Sequence, residues 1–173
     1  MEQTKAVFFD RDGVVNTRFL GNYVTKWDEF EFLPELGENL KAIKTKGYLT
    51  IIITNQRGVG AGRMTQENLD AVHSMMQEHL KTNFGVAFDD IFACTDADTS
   101  SPRRKPSPAM LLEAQVKWNI DLSNSWFVGD APTDIEAGTR AGTKTAFLQN
   151  EHETAPKTAT ICINSLSELL SYL

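Results

Sequence analysis

The sequence predicts an α/β fold, a doubly wound parallel sheet of Rossmann type with helices on both faces and no separate cap domain. Three observations carry that expectation. Short apolar, β-branched runs alternate with segments of helical period along the whole chain. The run 49–54, Leu-Thr-Ile-Ile-Ile-Thr, is apolar enough to be buried on both faces, as strands of a parallel sheet are. Two runs, 6–9 and 125–129, end on aspartates, Asp10 and Asp130, where such a sheet presents its ligand-binding edge.

Taken in order, the first strand leads into Asp10-Arg11-Asp12-Gly13, a turn marked by Gly13. Residues 17–33 have no strong period and carry the exposed-type aromatics Tyr23, Trp27 and Phe30, which predicts a loop over the site. Pro34 opens a helix with Leu36, Leu40 and Ile43 on one face, and Gly47 ends it. The strand 49–54 leads into a glycine-rich loop, 55–63. Thr65 caps a helix whose apolar face is Leu69, Val72, Met76 and Leu80. His73 and His79 fall off that face and read as surface residues, while Met75 and Met76 read as packing. A third strand, 90–94, ends on Cys94, read as a small buried hydrophobe. A polar loop, 95–108, and a helix to about Trp118 follow. After the strand 125–130 come a helix over 133–142 and two further strands, 145–148 and 160–163. Ser165 and Glu168 have capping-box spacing for a last helix with Leu166, Leu169, Leu170 and Leu173 on its apolar face.

A length of 173 residues, 41% hydrophobic and 23% charged, fits one globular domain over 1–173. The net charge of −6 disfavours nucleic acid, whose binding rests on cationic contacts to phosphates. Cys94 and Cys162 make no disulfide framework or metal pair. The first residues lack a secretory apolar core and no run reaches membrane-spanning length, so a cytoplasmic protein, expected as a monomer, is the reading.

Right-handed crossovers gather the loops after parallel strands on one edge. They bring together Asp10, Asp12, Thr54, Asn55, the basic loop before Pro106, and Asp130. That set suits phosphoryl transfer, which needs a nucleophile, a proton donor for the leaving oxygen, a cation and donors to the phosphoryl oxygens. Asp10 can attack phosphorus, and Asp12 can protonate the leaving alkoxide and then activate water. Asp10 and Asp130 can hold Mg²⁺, Thr54 and Asn55 can donate to phosphoryl oxygens, and Lys105 adds a point charge. Arg57 and Arg63 flank the glycine-rich loop, where Arg57 is a candidate contact for an anionic substrate.

Asp10-Arg11-Asp12-Gly13, Thr54-Asn55-Gln56, Arg104-Lys105-Pro106 and Gly129-Asp130-Ala131-Pro132-Thr133-Asp134 resemble the four ordered motifs of the haloacid dehalogenase-like phosphatases. With Tyr23-Val24, Phe30-Glu31-Phe32 and Arg57-Gly58, the finer similarity is to the heptose bisphosphate and histidinol phosphatase subfamily. The resemblance implies Asp10 as nucleophile and Asp12 as acid/base. It implies Mg²⁺ on Asp10, the Asp12 backbone carbonyl and Asp130, with phosphate held by Thr54 and Lys105. Arg104 then recognises substrate alongside Asn55, Gln56, Arg57 and Tyr23, while Asp134 orients Lys105 or a metal-bound water. Members of the subfamily it resembles commonly carry a Cys/His zinc clasp in the loop before Arg-Lys-Pro. Here residues 94–103 hold one cysteine and no histidine, too few for the four ligands of structural zinc, so a zinc-free protein is expected. The leading substrate is a heptose 1,7-bisphosphate. Histidinol phosphate, a nucleic-acid 3′-phosphate, and a non-catalytic phosphate-binding module are the alternatives. The pair Asp10 and Asp12 favours an enzyme, since a binding module has no use for an acid/base partner.

Overall fold

A computed structural model describes residues 3–173. Its six strands are β1 (Lys5–Phe9), β2 (Tyr48–Asn55), β3 (Asp90–Cys94), β4 (Trp126–Gly129), β5 (Lys144–Leu148) and β6 (Ile161–Ile163). They form one parallel sheet in the order β3-β2-β1-β4-β5-β6. The helices are α1 (Leu36–Thr45), α2 (Arg57–Gly60), α3 (Gln66–Phe84), α4 (Ala109–Trp118), α5 (Pro132–Ala141) and α6 (Leu166–Leu169).

Alternation along the strands builds two cores. Val7, Phe9, Ile52 and Val128 face one side, where α1, α3 and α6 contribute Leu40, Val72, Met76 and Leu169. Ala6, Phe8, Ile51, Ile53 and Phe127 face the other, against Met110, Leu111 and Ala114 of α4 and Ala137 of α5. The chain reverses its winding between β1 and β4, which lie side by side in the sheet. Asp10 and Asp130 follow those two strands, and the Asp10 amide donates to the Val128 carbonyl at 3.0 Å. The doubly wound expectation is met, and its crevice falls at the aspartates.

Several local expectations change. The helix after Pro34 begins at Leu36, because Glu35 takes a left-handed φ of 60° before it. The glycine-rich loop contains a single helical turn, α2. The last helix is only four residues long and its capping box does not form. Ser165 Oγ pairs with Ser167 Oγ at 2.8 Å, and Glu168 accepts from Asn164 instead. Only the first half of the 17–33 segment stands over the site. The second half joins the core: Phe30 is buried, and Trp27 stacks on it with ring centroids 5.2 Å apart. Met76 packs, whereas Met75 is 43% exposed. His79 is exposed yet stacks on Phe32, with centroids 5.0 Å apart. His73 is not a surface residue but a half-buried one facing Arg11.

Candidate active site

Lys105 is the hub. Its buried ammonium meets Asp10 Oδ1 at 2.8 Å, Asp134 Oδ1 at 2.7 Å and the Ile53 carbonyl at 2.9 Å, so three acceptors take its three protons. Burial alone lowers a lysine pKa, but Asp10 and Asp134 together drive this one above its ordinary value. The preceding loop reaches this place because Asn55 clamps it: Lys105 N donates to Asn55 Oδ1 at 3.1 Å and Asn55 Nδ2 to Lys105 O at 3.3 Å. Asn55 is therefore an anchor of the loop as well as a residue of the cavity wall.

Asp10, Asp130 and Asp134 converge, with one carboxylate oxygen of each within 4.8 Å of the others. Burial, then the charge of Asp134, push Asp10 up to about 8 despite Lys105. The same two causes raise Asp130 to about 6 against the pull of Arg18 and Lys105. Asp130 Oδ1 is buried with no hydrogen-bond partner. Its Oδ2 lies 3.4 Å from Arg18 Nη1. Gly13, at φ 96°, lets the turn close against this carboxylate, since a Cβ there would overlap it. Three mutually repelling carboxylates with an unsatisfied oxygen fit a divalent cation. Asp134 is committed elsewhere, as its Oδ2 accepts from the Ala131 amide at 3.1 Å while Oδ1 holds Lys105. Asp10 and Asp130 are the carboxylates left for a metal.

Asp12 is not a member of that cluster. Its carboxylate takes Arg11 Nη2 at 2.8 and 3.1 Å, Asn16 Nδ2 at 3.0 Å and Gln56 Nε2 at 2.9 Å. Burial raises this carboxyl, but Arg11 and the three sets of hydrogen bonds outweigh it and hold the pKa below the ordinary range. Gln56 also donates to Thr54 Oγ1 at 2.8 Å, leaving the threonine proton for another acceptor, but Thr54 is itself fully buried and stands behind the cavity wall. Gln56 is fully buried behind the site and touches Asp12 and Thr54, so the expected substrate contact is replaced by a bracing one. Arg57 departs further from expectation. It is exposed, lies outside the cavity wall, and donates to the Ala97 carbonyl at 2.9 Å.

That contact is part of what holds the 95–103 loop. The Gly60 amide donates to Thr95 O at 2.9 Å, Ser101 bonds Asp96, and Ser100 caps on Asp98 at 2.8 Å. Arg103 ties the loop base to Glu113 at 2.8 Å and to the Ala93 carbonyl. Cys94 is buried beneath, 3.7 Å from Asp96 and 3.8 Å from Ser101.

A cavity of about 540 Å³ opens over Asp10 and Asp12, walled by Tyr23, Asn55, Arg104 and Lys105. Tyr23 lies across Gly58, whose missing side chain makes room for the ring. Arg104 Nη1 is buried and has no partner. Sequence reasoning missed three groups here. Arg18 and His152 also line the cavity, and nothing in their local sequence marks them. Arg11, only 1% exposed, was legible only as a motif letter, although an arginine between two aspartates invites pairing.

The chain is 33% identical over 180 residues to the D-glycero-beta-D-manno-heptose-1,7-bisphosphate 7-phosphatase of Haemophilus ducreyi, covering 98% of each. It is 38% identical over 163 residues to the corresponding alpha-named enzyme of Photorhabdus laumondii, covering 89% of this chain and 87% of the relative. Its structure resembles that of D,D-heptose 1,7-bisphosphate phosphatase from B. bronchiseptica, solved with magnesium and phosphate, at a TM-score of 0.87, 26% identity and coverage of 98% and 97%. Residues 15–142 match the sequence pattern of the haloacid dehalogenase-like hydrolases. With that match and with relatives aligned along nearly its whole length, the chain belongs to the haloacid dehalogenase-like hydrolase family.

Proposed function

We propose that this protein is a Mg²⁺-dependent phosphomonoesterase removing the 7-phosphate of D-glycero-D-manno-heptose 1,7-bisphosphate through an aspartyl phosphate. The observation that carries it is the pairing of Asp10, braced by Lys105 and open to the cavity, with Asp12, held apart from the carboxylate cluster. Asp10 attacks phosphorus while Asp12 gives its proton to the departing sugar oxygen. Asp12 then takes a proton from water, whose oxygen attacks the phosphoryl group and releases inorganic phosphate and free Asp10. Arg11, Asn16 and Gln56 favour the carboxylate form of Asp12, which suits the second half-reaction. An incoming phosphate beside it favours the acid form needed first, because a like charge raises a carboxyl pKa. Asp10, Asp130 and the Asp12 backbone carbonyl would hold Mg²⁺, which would neutralise charge on the nucleophile and phosphoryl oxygens. Thr54 donates to those oxygens, and Asp134 orients Lys105.

The heptose substrate is supported by the relatives and by the cavity. Its size is in the range of small-molecule sites, and Arg18 and Arg104 in its wall offer two cations to a substrate with two phosphates. The net charge of −6 supports a small substrate over nucleic acid. A single-domain, monomeric and cytoplasmic enzyme is part of the same proposal. No helix among the described residues is long and apolar enough to cross a membrane. The test is phosphate release from heptose 1,7-bisphosphate, histidinol phosphate and a 3′-phosphorylated oligonucleotide, with and without Mg²⁺. Preference for the heptose with loss of its 7-phosphate is expected. Preference for either rival, or turnover in chelator, overturns the assignment.

Arg104→Ala is expected to raise KM on the order of tenfold with kcat little changed, because its unpartnered Nη1 serves binding in ground and transition states alike. Steady-state kinetics check this, and a fall in kcat alone contradicts it.

Metal content gives a second check. Zinc by elemental analysis is expected well below one per chain, and a zinc-selective chelator is expected to leave activity and Tm unchanged. The hydrogen bonds of the 95–103 loop support this. In metal-free protein, the raised pKa values of Asp10 and Asp130 mean that their protonated forms stabilise the fold. That contribution is present below the ordinary carboxylate pKa and is lost as pH rises through about 6 and about 8. The rise in Tm on adding Mg²⁺ is therefore expected to grow between pH 5 and pH 8, roughly the span of these ionisations. A shift independent of pH contradicts the assigned ligands.

A further inference from the structure

We infer that His73 is a positioning residue for the reaction, holding the Arg11 guanidinium and through it the Asp12 carboxylate. The inference rests on the proposed role of Asp12 as acid/base. Arg11 is 1% exposed, and its guanidinium bridges two elements. Nε and Nη2 face Asp12, with the closest approach 2.8 Å, while Nη1 lies 3.2 Å from His73 Nε2. A guanidinium has donors only, so His73 Nε2 must be the acceptor. The ring is then neutral, with its proton on Nδ1. Burial and the neighbouring Arg11 charge favour this state, pushing the His73 pKa down to about 4 against the opposite pull of Asp12 and Asp70.

The device transmits position from a rigid element. His73 stands in the middle of α3, next to Val72 and three residues before Met76, both in the core under the sheet. Phe30 closes another side of the guanidinium, 6.0 Å from its carbon. Without His73, a buried guanidinium donor loses its acceptor and the fork on Asp12 is free to tilt. Asn16 and Gln56 still hold Asp12, so the loss is partial. A purely structural histidine would affect all substrates alike. One that acts through a proton donor matters most when the leaving oxygen is basic, as in an alkyl phosphate, and least for an aryl phosphate, whose leaving group needs no proton.

The experiment compares His73→Phe, which keeps an aromatic ring and loses the acceptor, with His73→Gln, whose amide oxygen can accept from Arg11. Asp12→Asn serves as reference. For each, kcat/KM is measured with heptose 1,7-bisphosphate and with p-nitrophenyl phosphate, alongside Tm. The Phe variant is expected to lose on the order of tenfold on the heptose and about twofold or less on the aryl phosphate, with most of the loss recovered in the Gln variant. If the Phe variant does not fold, His73→Leu carries the same comparison. Equal losses on the two substrates, no loss on the heptose, or a Gln variant no better than Phe overturns the role of His73. Should Asp12→Asn itself show no dependence on leaving group, the acid/base reading of Asp12 fails, and this inference with it.

Discussion

Asp10→Asn is expected to give a folded protein with no measurable phosphate release, a fall in kcat on the order of 10⁴-fold or more. The amide oxygen can still accept from the Arg11 amide and from Lys105, which now contact Asp10 Oδ1 at 2.7 and 2.8 Å, so local geometry is kept. What goes is the attacking carboxylate. The same change removes one of three crowded negative charges. Asp10 resists ionisation through burial and the charge of Asp134, so replacing it by a neutral group relieves a cost of the metal-free fold above about pH 8. Activity and stability should therefore move in opposite directions: turnover lost, Tm of the metal-free protein unchanged or higher at alkaline pH. Rapid-quench analysis should find no covalent phosphate on the protein. Near-normal turnover in this variant sinks the covalent mechanism.

Lys105→Ala is expected to damage both properties together. Its removal leaves Asp10 and Asp134 as buried carboxylates without their cation, and breaking such a pair costs about 3–5 kcal/mol. The ammonium is also the charge nearest the nucleophile, and loss of one such preorganised group lowers kcat by about 10²–10³-fold. Chemical denaturation and steady-state kinetics on the same preparation check the two parts. The contrast with Arg104→Ala, where KM moves and the fold does not, separates a residue of the internal charge network from one that faces the cavity. Unchanged kcat in a folded Lys105→Ala protein removes the transition-state role.

Much of this was legible without coordinates. The alternation of Ile51, Ile52 and Ile53 between two cores follows from the two-residue period of a strand buried on both sides. Thr65 caps α3, its Oγ1 accepting from the Asn68 amide at 3.1 Å, because a short hydroxyl side chain satisfies an orphan amide wherever a helix starts. Asp10 and Asp130 meet because parallel strands with right-handed crossovers leave their following loops nowhere else to go. By contrast, Ser165 and Glu168 have the spacing of a capping box and do not form one, since a single helical turn leaves neighbouring Asn164 and Ser167 as equal competitors.

Sequence alone thus determined the doubly wound sheet, its ligand-binding edge and the residues Asp10, Asp12, Thr54, Lys105 and Asp130 that gather there, because hydrophobic period and strand direction are local properties with a global geometric consequence. Tertiary structure alone decided the partners: that Gln56 braces Asp12 instead of facing substrate, that Arg57 ties down the Ala97 loop, that Arg18 reaches Asp130 across 112 positions of chain, and that His73 meets Arg11 across 62. Those outcomes turn on distances of a few ångströms between side chains on different elements. Residue type sets which pairings are chemically possible, and only packing selects among them.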